Sequence, residues 1–191
     1  GGAPRRGATS PPRRRKGCPA PRRLRLALLD DHDVVRRGVG MHLGTDTRFR
    51  IVASHGHSAP LLQYLMNHPV DVAIIDITLG MDDLTGPELV LKLRECAPRV
   101  SLLAFAGQSS NAGIHVLLDA GISGYVSKCE PLAELSDAVI RVSQGLCRLP
   151  PGCKLPPVRE QLSRNEREVL HLLLDGLTVS EIALQRHRSI K

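Results

Sequence analysis

Asp30, Asp31, Asp76 and Lys128 lie far apart in the chain, yet each follows a short run that could be a strand. Asp30 and Asp31 come after Leu24-Arg25-Leu26-Ala27-Leu28-Leu29, Asp76 after Val72-Ala73-Ile74-Ile75, and Lys128 after Gly124-Tyr125-Val126-Ser127. Parallel strands would deliver all four side chains to one edge of a sheet. Three carboxylates brought together repel one another unless a hard cation joins them, and an oxygen donor set suits Mg²⁺. An ammonium beside them adds a second positive group for a transferred phosphoryl. The set fits a carboxylate that accepts a phosphoryl group. Taken singly, Asp76 is equally a helix cap or a solvated turn acid, and Lys128 an ordinary surface lysine. Their common register with Asp30 and Asp31 is what gives them weight.

The elements that must position these residues alternate in type. Strand-like runs fall at 24–29, 49–53, 72–76, 100–105 and 123–127, and helical patterns at 33–43, 59–67, 86–97, 111–120 and 131–144. Several of the strand runs are continuously apolar, which indicates burial on both faces and hence a parallel sheet covered by helices. Five βα units predict an α/β, doubly wound five-stranded sheet of order 2-1-3-4-5. The carboxyl ends of its first and third strands flank the topological switch point, where ligands bind.

The chain has 191 residues, 42% of them hydrophobic, and no Trp, which suits one domain with a smaller appendage. No apolar run approaches the roughly 18 residues of a membrane span. Cys18, Cys96, Cys129, Cys147 and Cys153 form no C-x-x-C pair and read as reduced thiols of a cytoplasmic protein. The net charge is +7, but residues 1–25 hold nine Arg or Lys and no acid, so the remainder is net −2. A basic tail is indicated, not a basic globular surface. Residues 1–22 are expected to be disordered, without the apolar core of a secretory signal. The tail is either inert or an electrostatic aid to holding DNA phosphates.

After a first domain over 23–145, prolines 150, 151, 156 and 157 mark a linker over 146–162. Ser163 and Glu166 then form a capping box that opens a new helix. Gly176 stops that helix, and a second short one follows from Val179. A helix, a turn and a helix over 163–191 suggest a small helix-turn-helix scaffold.

"LLDDHDVVRRG", "DVAIIDITLG", "GISGYVSK" and "LSRNEREVLHLLLDGLTVSEIALQRHRSIK", in this order, resemble two-component response regulators of the LuxR/NarL class. The resemblance spans about residues 24–191. It implies that Asp76 is the phosphoacceptor, taking a phosphoryl group from a sensor histidine kinase or a phosphotransfer protein. It further implies that Asp30, Asp31, Asp76 and the backbone carbonyl of Thr78 hold Mg²⁺, that Lys128 pairs with phosphoryl oxygens, and that Tyr125 reports the phosphorylated state. Such a protein is not an enzyme beyond promoting its own phosphorylation. It works as a DNA-binding transcription regulator, commonly as a homodimer or heterodimer, through helix 1 with helix 5 or the helix 4 to helix 5 face.

Two departures from the family pattern bear on function. Strand 4 of such receivers ends in a Thr or Ser that hydrogen-bonds the phosphoryl group, and here that position is Ala106. The lost bond to a charged group is worth about 1.5–3 kcal/mol, comparable to a typical coupling energy of about 1–3 kcal/mol. Ser109 or Ser110 would have to substitute by folding back. The loop Gly80–Gly86 is also longer and more acidic than usual, with Asp82 and Asp83 expected to be solvated charges. At the other end, Arg188, Ser189 and Lys191 match the opening of a recognition helix, most of which is missing from this sequence. The chain as given is expected to touch phosphates at best, either as a fragment of a longer regulator or as a truncated one that has lost its output. His32 stands beside the acid pair, while His55 and His57 are read as loop residues.

Three functions compete on these residues: a phosphorylation-controlled regulator, a pseudo-receiver acting as a phosphorylation-independent interaction module, and an aspartate-nucleophile phosphohydrolase. Ala106 favours the second. The third requires an acid two residues after the nucleophile, where this chain has Thr78.

Overall fold

The computed structural model describes residues 22–153. The element order is β1 (Leu24–Leu29), α1 (Asp33–Gly44), β2 (Phe49–His55), α2 (Ser58–Asn67), β3 (Val72–Ile75), α3 (Gly86–Cys96), β4 (Ser101–Ala106), α4 (Asn111–Ala120), β5 (Gly124–Ser127) and α5 (Leu132–Ser143). All strand pairs are parallel, in the order β2-β1-β3-β4-β5. The doubly wound sheet expected from the apolar runs is therefore the observed one.

Residues on alternate faces of the strands feed two separate cores. Ala27, Leu29, Ala73, Ile75, Leu102, Ala104 and Tyr125 pack under α2, α3 and α4. Leu26, Leu28, Val72, Ile74, Leu103 and Val126 pack under α1 and α5. Burial of both faces explains why these strands lack polar alternation.

Register sets the site. The last β1–β3 pair is Leu29 with Ile75, so Asp30 and Asp76 leave the sheet side by side, and the Asp76 amide donates to the Leu29 carbonyl at 2.7 Å. The last β4–β5 pair is Ala106 with Ser127, and the Lys128 amide then donates to the Ala106 carbonyl at 2.7 Å. Helix α4 starts with the Ser110 hydroxyl accepting from the Gly113 amide and ends at Gly121, whose φ of 118° suits a residue without a Cβ.

Residues 146–153, which open the segment read as a linker, lie against the sheet. Arg148 forms a parallel bridge with Gly124. Of the expected tail over 1–22 only Arg22 is described, paired with Asp71 at 3.1 Å; the rest of it, the rest of the linker and the helix-turn-helix over 163–191, including Arg188, Ser189 and Lys191, lie outside the described residues.

Candidate functional site

Asp30, Asp31, His32 and Asp76 each present a ligand atom, and these atoms all lie within 4.8 Å of one another. Asp30 and Asp76 are buried, Asp76 almost completely at 1% exposure, whereas Asp31 reaches solvent. Local bonds fix each carboxylate. The His32 amide donates to Asp30 Oδ1 at 2.9 Å, and Arg36 Nη1 donates to the Asp30 carbonyl at 2.6 Å. The Thr78 amide and hydroxyl donate to Asp76 Oδ1 at 2.9 and 2.7 Å.

Lys128 supplies the positive charge. Its Nζ stands 2.5 Å from Asp76 Oδ2 and 2.7 Å from Asp30 Oδ2, with the side chain 22% exposed. Burial alone would lower the lysine's pKa, but the hydrogen bonds and charges of Asp30 and Asp76 outweigh it, and the net shift is upward. The ammonium therefore stays protonated and bridges two carboxylates that would otherwise repel.

That neutralisation is incomplete in geometry. Asp30 Oδ2 is buried and receives no aligned hydrogen bond, despite its proximity to Lys128. A buried carboxylate oxygen whose one partner is that ammonium, in a cluster of three acids, is a feature expected of a site that accepts a hard cation. His32 Nδ1 lies 2.8 Å from Asp31 Oδ1, so the imidazole sits at the mouth of the acid cluster.

Ala106 ends β4, buried beside this site, with no hydroxyl to offer a ligand. The two serines considered as substitutes are engaged elsewhere: Ser110 caps α4, and Ser109 Oγ hydrogen-bonds the Tyr125 hydroxyl oxygen at 3.1 Å. Tyr125 is 1% exposed and also donates to the Gly107 carbonyl. Burial raises its pKa, with a smaller upward push from Asp76 and an opposing one from Ser109. The ring packs in the core and its hydroxyl holds the β4–α4 loop, so the packing role and the loop contact coexist.

The acidic loop departs from its expectation. Asp82 is exposed, but Asp83 is only 12% exposed in its side chain and caps α2 from 25 residues away. It accepts from the Ser58 amide at 2.9 Å and from the Ser58 hydroxyl. Desolvation would raise its pKa, but these bonds and that from the Leu84 amide prevail and lower it. His55 closes β2 and is not a loop residue, because β1 pairs with β2 through the Leu29–His55 position. Its burial beside Arg36 lowers its pKa. His57 lies 3.4 Å from Asp83.

Two further groups have no counterpart in the sequence reasoning. Arg36 pins the Asp30 carbonyl, and only its position one turn after Asp33, with which it pairs at 2.7 Å, hints at a role. Arg148, 8% exposed, bonds the Tyr125 carbonyl at 2.8 Å and pairs with Glu130. No local pattern signals that contact.

Residues 26–140 match the response regulator receiver domain. The chain is 36% identical over 166 residues to the transcriptional regulatory protein UhpA of Escherichia coli K12, covering 85% of this chain and 82% of that protein. It is 25% identical over 177 residues to the response regulator VraR of Staphylococcus aureus, covering 88% and 84%. A LuxR-family two-component response regulator from Aurantimonas superposes with a TM-score of 0.64 at 25% identity, over 68% of this chain and 91% of the other. A structure of two RcsB dimers bound to two parallel DNAs gives the same TM-score and identity over 87% and 84%.

Proposed function

The chain belongs to the response regulators of two-component signalling, and from that premise we propose that Asp76 is its phosphoacceptor, in a phosphorylation-controlled, DNA-binding transcription regulator. The observation that carries the assignment is the Asp30–Asp76–Lys128 triad, with one ammonium touching two buried carboxylates. The phosphoryl donor is the phosphohistidine of a sensor histidine kinase or phosphotransfer protein. An Asp76 carboxylate oxygen attacks phosphorus as the P–N bond breaks, and the departing imidazole keeps the bond's electron pair and takes up a proton. The chain's residues contribute position and charge, which is most of what phosphoryl transfer asks of a protein. Thr78 holds Asp76 Oδ1 in place, and Lys128 can turn from Asp76 Oδ2 towards the incoming phosphoryl oxygens.

The residues fit Mg²⁺, which Asp30, Asp31, Asp76 and the Thr78 carbonyl would hold; when bound it supplies positive charge to the carboxylates and to the phosphoryl oxygens. The chain thus promotes its own phosphorylation and is not a turnover enzyme. Dimer formation and DNA contact follow from the likeness to UhpA, named a transcriptional regulator, and to RcsB, seen as dimers on DNA. We assign residues 163–191 to the start of a LuxR-type helix-turn-helix, with Arg188, Ser189 and Lys191 as its DNA-facing residues. A cytoplasmic location accords with this role, and no helix among the described residues is long and apolar enough to cross a membrane.

Ala106 supports a second reading. With no hydroxyl at the end of β4 and with Ser109 and Ser110 already bonded, the module would serve as a pseudo-receiver that binds partners independently of phosphate. Phosphotransfer from a phosphohistidine kinase separates the two. Transfer of label to this chain, as a hydroxylamine-labile acyl phosphate, supports the first reading; failure to accept label from a kinase that loads an ordinary receiver supports the second.

A further inference from the structure

Asp30 is held at both of its backbone groups. Its amide donates to the His55 carbonyl at the end of β2, at 3.2 Å, and its carbonyl accepts from Arg36 Nη1 at 2.6 Å. Arg36 stands in the first turn of α1, and helical side chains lean towards the helix N-terminus, so it reaches back over the β1–α1 loop. Its other terminal nitrogen, Nη2, pairs with Asp33 Oδ1 at 2.7 Å. The side chain is only 17% exposed and lies beside Gly56, where an added Cβ would stand 3.4 Å from Nη1. Arg37 provides the contrast. It pairs with the same Asp33 at 2.7 Å, but it is 77% exposed and its bond is to that carboxylate, not to Asp30.

The carbonyl that Arg36 holds belongs to the Asp30–Asp31 peptide. A peptide unit is planar, so fixing where its carbonyl points fixes the direction in which Asp31 leaves the loop. Asp30 and Asp31 supply two of the carboxylates whose ligand atoms, with those of His32 and Asp76, all lie within 4.8 Å of one another. Arg36 acts on that cluster through the backbone. Its charge and its position pull in opposite directions. Positive charge behind an acid cluster opposes the entry of a cation, less so here because Asp33 pairs with it. Ligands held in place favour the cation. Removing Arg36 therefore gives opposite signs according to which effect prevails.

We propose that Arg36 is a positioning residue of the Asp76 site, setting the Asp30–Asp31 peptide and through it the affinity of the acid cluster for its divalent cation. This role rests on the phosphoacceptor reading, which makes the cluster a cation site. Groups that orient a metal's ligands change affinity by about 10–100-fold when they are replaced. Arg36 holds the backbone of a ligand residue, not its carboxylate, so the lower end of that range, about tenfold, is expected.

Calorimetric titration of the full chain with Mg²⁺ tests it, in the parent, Arg36→Met, Arg36→Lys and Arg37→Met, with urea unfolding in EDTA to establish that each is folded. Arg36→Met binds Mg²⁺ about tenfold more weakly than the parent, although it has lost a positive charge. Arg37→Met takes the same charge from Asp33 without touching the Asp30 carbonyl, and it binds at least as tightly as the parent. Affinity in Arg36→Met at or above the parental value overturns the role. So does an equal weakening in Arg37→Met, which would trace the loss to Asp33. If Arg36→Met does not fold, Arg36→Lys decides. Its ammonium keeps the charge but lacks the planar fork that spans the Asp30 carbonyl and Asp33, so weaker binding supports the role and parental binding overturns it. Amide exchange without metal gives a second readout. The His32 amide, bonded to Asp30 Oδ1 at 2.9 Å, exchanges faster in Arg36→Met than in the parent, and an unchanged rate overturns the role. A parent that binds no Mg²⁺ contradicts the cation site itself and this role with it, whereas a binding parent with an unaffected Arg36→Met contradicts this role alone.

Discussion

Replacing Lys128 with Met removes the ammonium that touches Asp76 Oδ2 at 2.5 Å and Asp30 Oδ2 at 2.7 Å. Both carboxylates are buried, at 1% and 5% exposure, so the variant leaves two neighbouring negative charges with little solvent to screen them. Breaking a fully buried pair by deleting one partner costs about 3–5 kcal/mol. Lys128 keeps 22% of its side chain in solvent, and water entering at that side lowers the expected cost to about 2–3 kcal/mol. For a domain of this size, that corresponds to a melting temperature lower by roughly 6–15 °C. The assay is thermal and urea unfolding in EDTA for the parent, Lys128→Met, Asp76→Asn and the double variant. Removing the Asp76 charge relieves the repulsion, so the double variant is more stable than the sum of the single effects by about 1–3 kcal/mol. Saturating Mg²⁺ shrinks the Lys128→Met deficit, because the cation replaces the missing charge. A neutral or stabilising Lys128→Met in EDTA, or strict additivity in the cycle, would refute the reasoning.

Further predictions come from the same contacts. Lys128 has a raised folded pKa, so its contribution is complete below the ordinary lysine value of 10.5 and disappears as pH rises through the higher folded value. Alkaline unfolding curves of the parent and Lys128→Met should therefore converge above that range. Asp83→Ala uncaps α2 at Ser58 and costs about 1–2 kcal/mol by urea denaturation. The depressed pKa of Asp83 places this contribution above the ordinary carboxylate value of 3.8, and it is lost as pH falls through the lower folded value. Gly121→Ala forces a Cβ to 3.0 Å from Arg94 Cγ and Nε at a φ of 118°, and should cost about 1–2 kcal/mol in the same assay. It also disturbs the 2.7 Å bond from Arg94 Nε to the Gly121 carbonyl.

The sheet and its site edge were legible because burial on both faces leaves a signature that needs no partner to read. Short β-branched runs such as Val72–Ile75 read as interior strands, and their alternation with helices argues for parallel pairing. Once that is granted, Asp30, Asp76 and Lys128 must share an edge. Boundaries were less legible: β2 extends to His55 because pairing with β1 continues past Ala53, and a histidine before a glycine gives no hint of it. Asp83 was misread as a solvated charge because its partner, Ser58, lies 25 residues away and no local rule links a loop acid to a distant helix start. Arg148 was hidden for a similar reason. Prolines 150 and 151 mark an interruption of helix, but they do not distinguish a free linker from a strap bound to a strand edge.

Intact-mass analysis after incubation with acetyl phosphate tests the central claim most directly, with and without Mg²⁺, for the parent chain and Asp76→Ala. A single phosphoryl adduct on the parent, present only with Mg²⁺ and absent from Asp76→Ala, is the predicted result. An adduct that persists in Asp76→Ala, or a parent that stays unmodified under conditions that label an ordinary receiver, would contradict the assignment of Asp76 as phosphoacceptor.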